Sequence, residues 1–200
     1  MSFNVRLTGI GDSLISSTLT DEFTYTHPTP VEGSINLSNP FFICRSLLIH
    51  AVDDASIPIA SPPKKYIFTF SVYNSSTKNG VSKVYSVEKE VSLNYVAGSA
   101  WTSGTSHAIG DLPIIEKNRL IYFIPDDLYS RVASLVGTTL TLYDAPGSTI
   151  AQDNQFIEVP ELDFGTFENQ DGANILYYTF SLNTSGPTKW KIILNGLRSG

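Results

Sequence analysis

The run KKYIFTFSVYN, residues 64–74, alternates Tyr66, Phe68, Phe70 and Val72 with Ile67, Thr69, Ser71 and Tyr73. A period of two marks a strand with one face buried, because successive side chains of extended backbone point to opposite faces. Residues 83–95, KVYSVEKEVSLNY, repeat the pattern, with Val84, Ser86, Glu88 and Glu90 on one face and Tyr85, Val87, Lys89, Val91, Leu93 and Tyr95 on the other. Between the two lies NSSTKNGVS, whose Asn79-Gly80 tolerates the positive φ of a tight hairpin turn. The same alternation predicts strands at 3–8, 22–26, 34–37, 119–124, 138–144, 155–159, 174–182 and 189–194, and one over 14–19 after a turn at GIGDSL. FFICRSLLIHAV (41–52) is apolar in both parities apart from Arg45, Ser46 and His50, and reads as a central strand. DAPGST (144–149) and NTSGPT (183–188) are Pro- and Gly-bearing turns, the second predicting a C-terminal hairpin.

One segment departs from this period. IPDDLYSRVASLVG (124–137) places Leu128, Val132, Leu135 and Val136 at helical spacing. Pro125, Asp126 and Asp127 suit a helix start, and Gly137 suits its end. The fold class that follows is all-β: a β-sandwich or barrel of about ten strands with one short helix near 125–136. Residues 1–200 read as a single β-rich domain, and DDASIPIASPP (53–63) is the place where a subdivision would fall. LDFGTFENQDGAN (162–174) reads as a second long loop.

Composition narrows the function. Charged residues are 16% of the chain, where about 25% is usual. Serine (24) and threonine (18) fill the gap. Such a surface suits one that partners cover, since charge is costly to desolvate. The net charge of −6, with basic residues clustered no further than pairs such as Lys64-Lys65 and Lys189/Lys191, argues against a nucleic-acid partner. Cys44 is alone, so no internal disulfide forms, and a buried small hydrophobe is expected there. No apolar run reaches the roughly 20 residues of a membrane helix. The start MSFNVRLTGIG lacks the basic and apolar regions of a signal peptide. No membrane partner is expected, and the location expected is a virion if the protein is viral, otherwise the cytoplasm.

Gly11-Asp12-Ser13-Leu14 resembles the name-giving block of the SGNH, or GDSL, serine hydrolases. The resemblance implies an α/β fold, Ser13 as nucleophile and backbone around Gly11 and Ser13 as an oxyanion-hole donor. Only those four residues match. A hydroxyl nucleophile needs a base within hydrogen-bond reach, and none of His27, His50 and His107 follows an Asp by three positions or lies near the C-terminus. A turn into the strand at 14–19 accounts for the block more simply.

No cofactor or metal is expected. The three histidines are dispersed, and Asp53-Asp54 and Asp126-Asp127 are adjacent pairs that do not converge on one ion. ENQDGAN (168–174) lacks the spacing of a calcium loop. The loop AGSAWTSGTSHAIG (97–110) sets Trp101 and His107 among small polar residues, a composition that suits a contact surface. Trp101, His107, Tyr177 and Tyr178 are therefore the candidate binding residues. The function expected is a non-enzymatic structural subunit of a phage or virus particle (capsid-decorating, neck or tail), docking on copies of itself or on other structural proteins. A carbohydrate-binding β-sandwich is the alternative, and a Ser13 hydrolase the third. Ser13→Ala is expected to leave folding and any activity unchanged. Loss of esterase turnover or of fluorophosphonate labelling in that variant would instead identify Ser13 as a nucleophile.

Overall fold

The computed structural model describes residues 14–39, 41–52, 64–75, 83–93, 95–96, 104–109, 115–124, 127–150, 155–169 and 172–199. Among them are fifteen strands and no helix, arranged in three open antiparallel sheets. The first sheet has β1 (Leu14–Thr24) at its margin, then β15 (Lys189–Ser199) and β3 (Phe41–Ala51). The far side of β3 pairs with the short strands β12 (Glu161–Leu162) and β13 (Thr166–Glu168). The second sheet runs β2 (Val31–Asn36), β14 (Ile175–Leu182), β4 (Lys64–Tyr73), β5 (Lys83–Leu93). The third runs β6 (Tyr95–Val96), β11 (Gln155–Val159), β8 (Leu120–Phe123), β9 (Leu128–Val136), β10 (Thr139–Leu142), β7 (Ser106–Ala108). None of the three closes into a barrel, so of the two expected architectures the sandwich is the one observed.

The main core lies between the first two sheets. The inward parity of β4 (Tyr66, Phe68, Phe70, Val72) and of β14 (Leu176, Tyr178, Phe180, Leu182) is fully or almost fully buried. It meets Leu47 and Ile49 of β3 and Trp190, Ile192 and Leu194 of β15. Phe180 joins the layers, its ring centroid 4.8 Å from Trp190, 5.1 Å from Phe23 and 5.8 Å from Phe68. The third sheet is apolar on both faces. Tyr122, Ile157 and Val159 extend the main core, while Ile121, Phe123 and Phe156 point the other way into a second cluster with Val132, Leu140 and Leu142. The apolar character of RLIYFI follows from that double burial.

β3 owes its two-parity pattern to a bulge. Asn195 of β15 pairs with Ser46, and Gly196 pairs with Cys44, so Arg45 has no partner. Phe42 and Cys44 face the core before the bulge, and Leu47, Ile49 and Ala51 face it after. An extra residue in one strand moves the inward parity by one. Arg45 itself is exposed. Opposite it, a β-carbon at Gly196 would collide with the Ile43 carbonyl oxygen and the Phe42 ring, so the close approach at the bulge requires glycine.

The helix expected at 125–136 is corrected by the same device. Leu128–Val136 is strand β9, paired with β8 and β10. The register shift between Thr141 and Leu142 skips Ala133, because Thr141 pairs with Ser134 and Leu142 with Val132. Leu128, Val132 and Leu135 therefore all pack on the second cluster. Strand alternation interrupted by one extra residue spaces them by four and then three, which imitates a helix. Gly137, with φ +59°, opens the two-residue turn into β10 instead of capping a helix.

Two further expectations change. NTSGPT does not close a hairpin: β14 belongs to the second sheet and β15 to the first, so this turn carries the chain across the sandwich. The loop over 162–174 contributes β13 and the end of β12. The strand at 3–8, the Asn79-Gly80 turn and residues 53–63 lie outside the described residues, although β4 and β5 are antiparallel neighbours as the turn predicts. Arg45→Ala is expected to change stability by less than about 0.5 kcal/mol, as an exposed substitution does. Deleting Arg45 is expected to abolish cooperative unfolding, because Leu47 and Ile49 would exchange faces with Leu48 and His50. Thermal melts that are equally cooperative for both variants would contradict the register assignment.

Candidate functional site

β3 carries His50 one position after the inward-facing Ile49, so its ring leaves the first sheet on the face opposite to that of Ile49. The third sheet covers it there. Tyr122 and Tyr129 are cross-strand partners on β8 and β9, and their ring centroids lie 4.3 and 5.5 Å from that of His50. The histidine is 1% exposed. Its Nδ1 lies 2.9 Å from the Ala51 carbonyl oxygen, and its Nε2 lies 2.6 Å from the Tyr129 hydroxyl. A carbonyl only accepts, so Nδ1 carries the proton and donates to it, while Nε2 accepts the Tyr129 O–H. Tyr122 donates its hydroxyl to Asp127 Oδ1 at 3.1 Å. On the other side, Lys191 of β15 is the cross-strand neighbour of His50 and forms an ion pair with Glu22 of β1 at 3.4 Å.

Electrostatics hold this cluster in one protonation state. Burial pushes His50 down to about 4, and Lys191 adds to the depression while the Ala51 carbonyl opposes it. Burial also pushes Tyr129 up to about 12, helped by Asp127 and Glu22. Tyr122 is raised too, first by burial and then by its bond to Asp127. At neutral pH the group is thus a neutral imidazole between two phenols. Both ring nitrogens are engaged, so the cluster spends its polar capacity on tying the third sheet to the first. The sequence signal for it is a histidine inside an apolar central strand, which needs a polar partner when buried. Tyr129 stands 79 positions away, and nothing in the local pattern couples the two.

Of the residues singled out in the sequence, those described are not gathered into one site. Ser13 and Trp101 lie outside the described residues. His107 sits in β7 against Leu140, is 6% exposed, and has Nε2 3.0 Å from the Gly104 carbonyl oxygen. Burial lowers its affinity for a proton. Tyr178 is fully buried, and its ring lies over Gly33 of β2, where a β-carbon would collide with it. Its hydroxyl donates to Asp21 Oδ2 of β1 at 2.6 Å, joining the two sheets. Neither His107 nor Tyr178 presents a ring to solvent. Tyr177 faces the opposite way, half-buried, paired with Tyr73 and Ser34 on the outer face of the second sheet. Cys44 is buried as expected, and desolvation pushes its thiol up to about 11.

Among the described residues no three His, Cys, Asp or Glu side chains gather as a metal would require, and no helix is long and apolar enough to cross a membrane. A cleft of about 180 Å³ opens between Glu22, Phe23, Thr24, Val52, Lys189 and Trp190. Small-molecule sites commonly hold about 300–1,000 Å³, so this cleft would admit only a small group. Comparison with protein-family models, curated proteins and solved structures finds no match.

The depressed histidine makes a pH prediction. A group whose folded pKa lies below its unfolded value of 6.5 binds protons more readily once the chain unfolds. Its stability contribution is complete above about pH 6.5 and is lost as the pH falls towards about 4. The loss is on the order of 3 kcal/mol at about 1.4 kcal/mol per pH unit. Urea midpoints are expected to fall across that window in the wild type and to fall much less in His50→Gln. Parallel profiles for the two proteins would contradict the buried, neutral imidazole.

Proposed function

We propose that this chain is a non-enzymatic structural subunit of a virus or phage particle, in a capsid-decorating, neck or tail position, acting by docking its β surfaces on neighbours and on copies of itself. The observation that carries this reading is the outer face of the second sheet. β2, β14, β4 and β5 turn their aromatic parity inward and leave Ser34, Thr69, Ser86 and Thr179 outside, alongside Glu32, Glu88 and Glu90. Thr179 pairs across it with Glu32 and with Ser71, which is 1% exposed and lies 2.9 Å from the exposed Ser86 hydroxyl. Tyr177 and Tyr73 stand side by side at one end. The hydroxyls of this face cost less to desolvate than its carboxylates do, and its tyrosines gain contact area at low entropic cost. The titratable groups of the interior, His50 and Cys44 among them, are meanwhile committed to packing.

The Tyr73–Tyr177 pair also supports a second reading, a carbohydrate-binding module, since adjacent rings can stack on a sugar. The two readings separate cleanly. A structural subunit is expected to be recovered in many copies from purified, intact particles, and to give no saturable signal on a glycan array. Recovery only in the free fraction of the lysate, or saturable glycan binding abolished by Tyr177→Ala, would contradict the subunit reading.

A further inference from the structure

Among the described residues, β1 forms the margin of the first sheet. It pairs with β15 over all eleven residues from Leu14 to Thr24 without a register shift, and no described strand pairs with its other side. An open edge offers a row of N–H and C=O groups to any strand that can align with it. Proteins usually guard such edges with lysine, proline, a bulge or short length. The sequence LISSTLTDEFT contains no lysine, proline or glycine. Leu14 and Ile15, at one end, are 43% and 44% exposed, and are two of four large hydrophobic residues so exposed among those described. The one charge that points inward, Asp21, is already bound by the Tyr178 hydroxyl.

The same strand is complementary to itself. Turned antiparallel about Leu19, it sets Leu14 opposite Thr24, Ile15 opposite Phe23, Ser16 opposite Glu22, Ser17 opposite Asp21 and Thr18 opposite Thr20. All eleven residues are then matched. Each carboxylate meets a serine hydroxyl and never another carboxylate. On the inward parity, exposed Ile15 meets the half-buried ring of Phe23, and Leu19 meets its own copy. A register centred between Asp21 and Glu22 would instead oppose like charges, which is destabilising across strands.

We infer that β1 is a homotypic docking strand: two copies of this chain join edge to edge, antiparallel and centred on Leu19, so that their first sheets run on as one. Such pairing is strand addition with main-chain hydrogen bonds as the adhesive, and the two-fold axis closes it at a dimer. It rests on the subunit reading in naming the partner for one of its surfaces, and it leaves the outer face of the second sheet free for neighbours.

The test is sedimentation equilibrium of the full chain over a wide concentration range, with Ser16→Glu and Ser16→Lys alongside. Ser16 is exposed in the single chain and faces Leu197 of β15, so both variants are expected to keep the wild-type thermal midpoint. In the dimer Ser16→Glu creates two like-charge pairs with Glu22, and the dissociation constant is expected to rise about tenfold at low salt. Ser16→Lys creates two opposite-charge pairs and is expected to dimerise at least as tightly as wild type. High salt is expected to bring the two variants together, since screening acts on these pairs. As a second readout, Leu19→Cys is expected to give a disulfide-linked dimer under mild oxidation, because its mate lies directly opposite. Wild type that stays monomeric, variants that dimerise alike at low salt, or a Leu19→Cys protein that does not cross-link would overturn the pairing. A monomeric chain recovered in particles would overturn it while leaving the subunit reading intact. A dimer with the predicted charge pattern that is missing from particles would do the reverse.

Discussion

β3 is held from four sides, and the rest of the architecture is arranged around it. Along its edges it pairs with β15 and with β12 and β13. Its inner face sends Phe42, Leu47 and Ile49 into the sandwich core. Its outer face meets the third sheet through His50, Tyr122 and Tyr129. A slip of one residue would turn Leu47 and Ile49 away from the core and drive His50 into it, so the register is strongly specified. The bulge at Arg45 lets one strand meet both demands, and Gly196 admits the close approach that the bulge needs. Arg131 of β9 reinforces the joint between the third and first sheets with a two-pronged bond to Glu161 of β12, both contacts at 2.7 Å.

What the sequence disclosed and what it concealed divide along that same device. Regular strands such as β4 and β14 keep an unbroken period of two, and their buried residues can be read directly from the letters. At β9 one extra residue, Ala133, converts the alternation of Leu128, Val132 and Leu135 into helical spacing, and local reasoning follows the wrong period. At β3 the bulge yields apolar residues in both parities, which correctly points to a central strand but hides which residues face the core. The destination of a turn is equally invisible. NTSGPT carries ordinary turn residues, and only the pairing of β14 with β4 and of β15 with β3 shows that the chain changes sheets there.

The candidate residues show the limit of composition as a guide to function. Tyr177 and Tyr178 are neighbours in sequence, yet strand geometry sends one to the outer face and the other beneath Gly33 to bind Asp21. His50, passed over as one of three scattered histidines, anchors the most developed polar cluster among the described residues. Each of its ring nitrogens has a partner within the protein, so that cluster contributes cohesion between layers. Among the described residues, the surfaces open to other molecules include the outer face of the second sheet and the side of β1 that no described strand pairs. Both are extended β surfaces of the kind the proposed subunit role would use.

Native-state hydrogen exchange, resolved by residue, tests the central role of β3 most directly. Amides in the most stable unit exchange only through global unfolding, while less protected segments open locally. The account predicts that amides of β3 from Leu47 to Ala51 and of β15 from Trp190 to Leu194 exchange last and together. Those of β1 whose N–H groups point away from β15 should exchange early. If β3 exchanges as early as β1, or if the third sheet outlasts it, β3 is not the strand on which the layers depend.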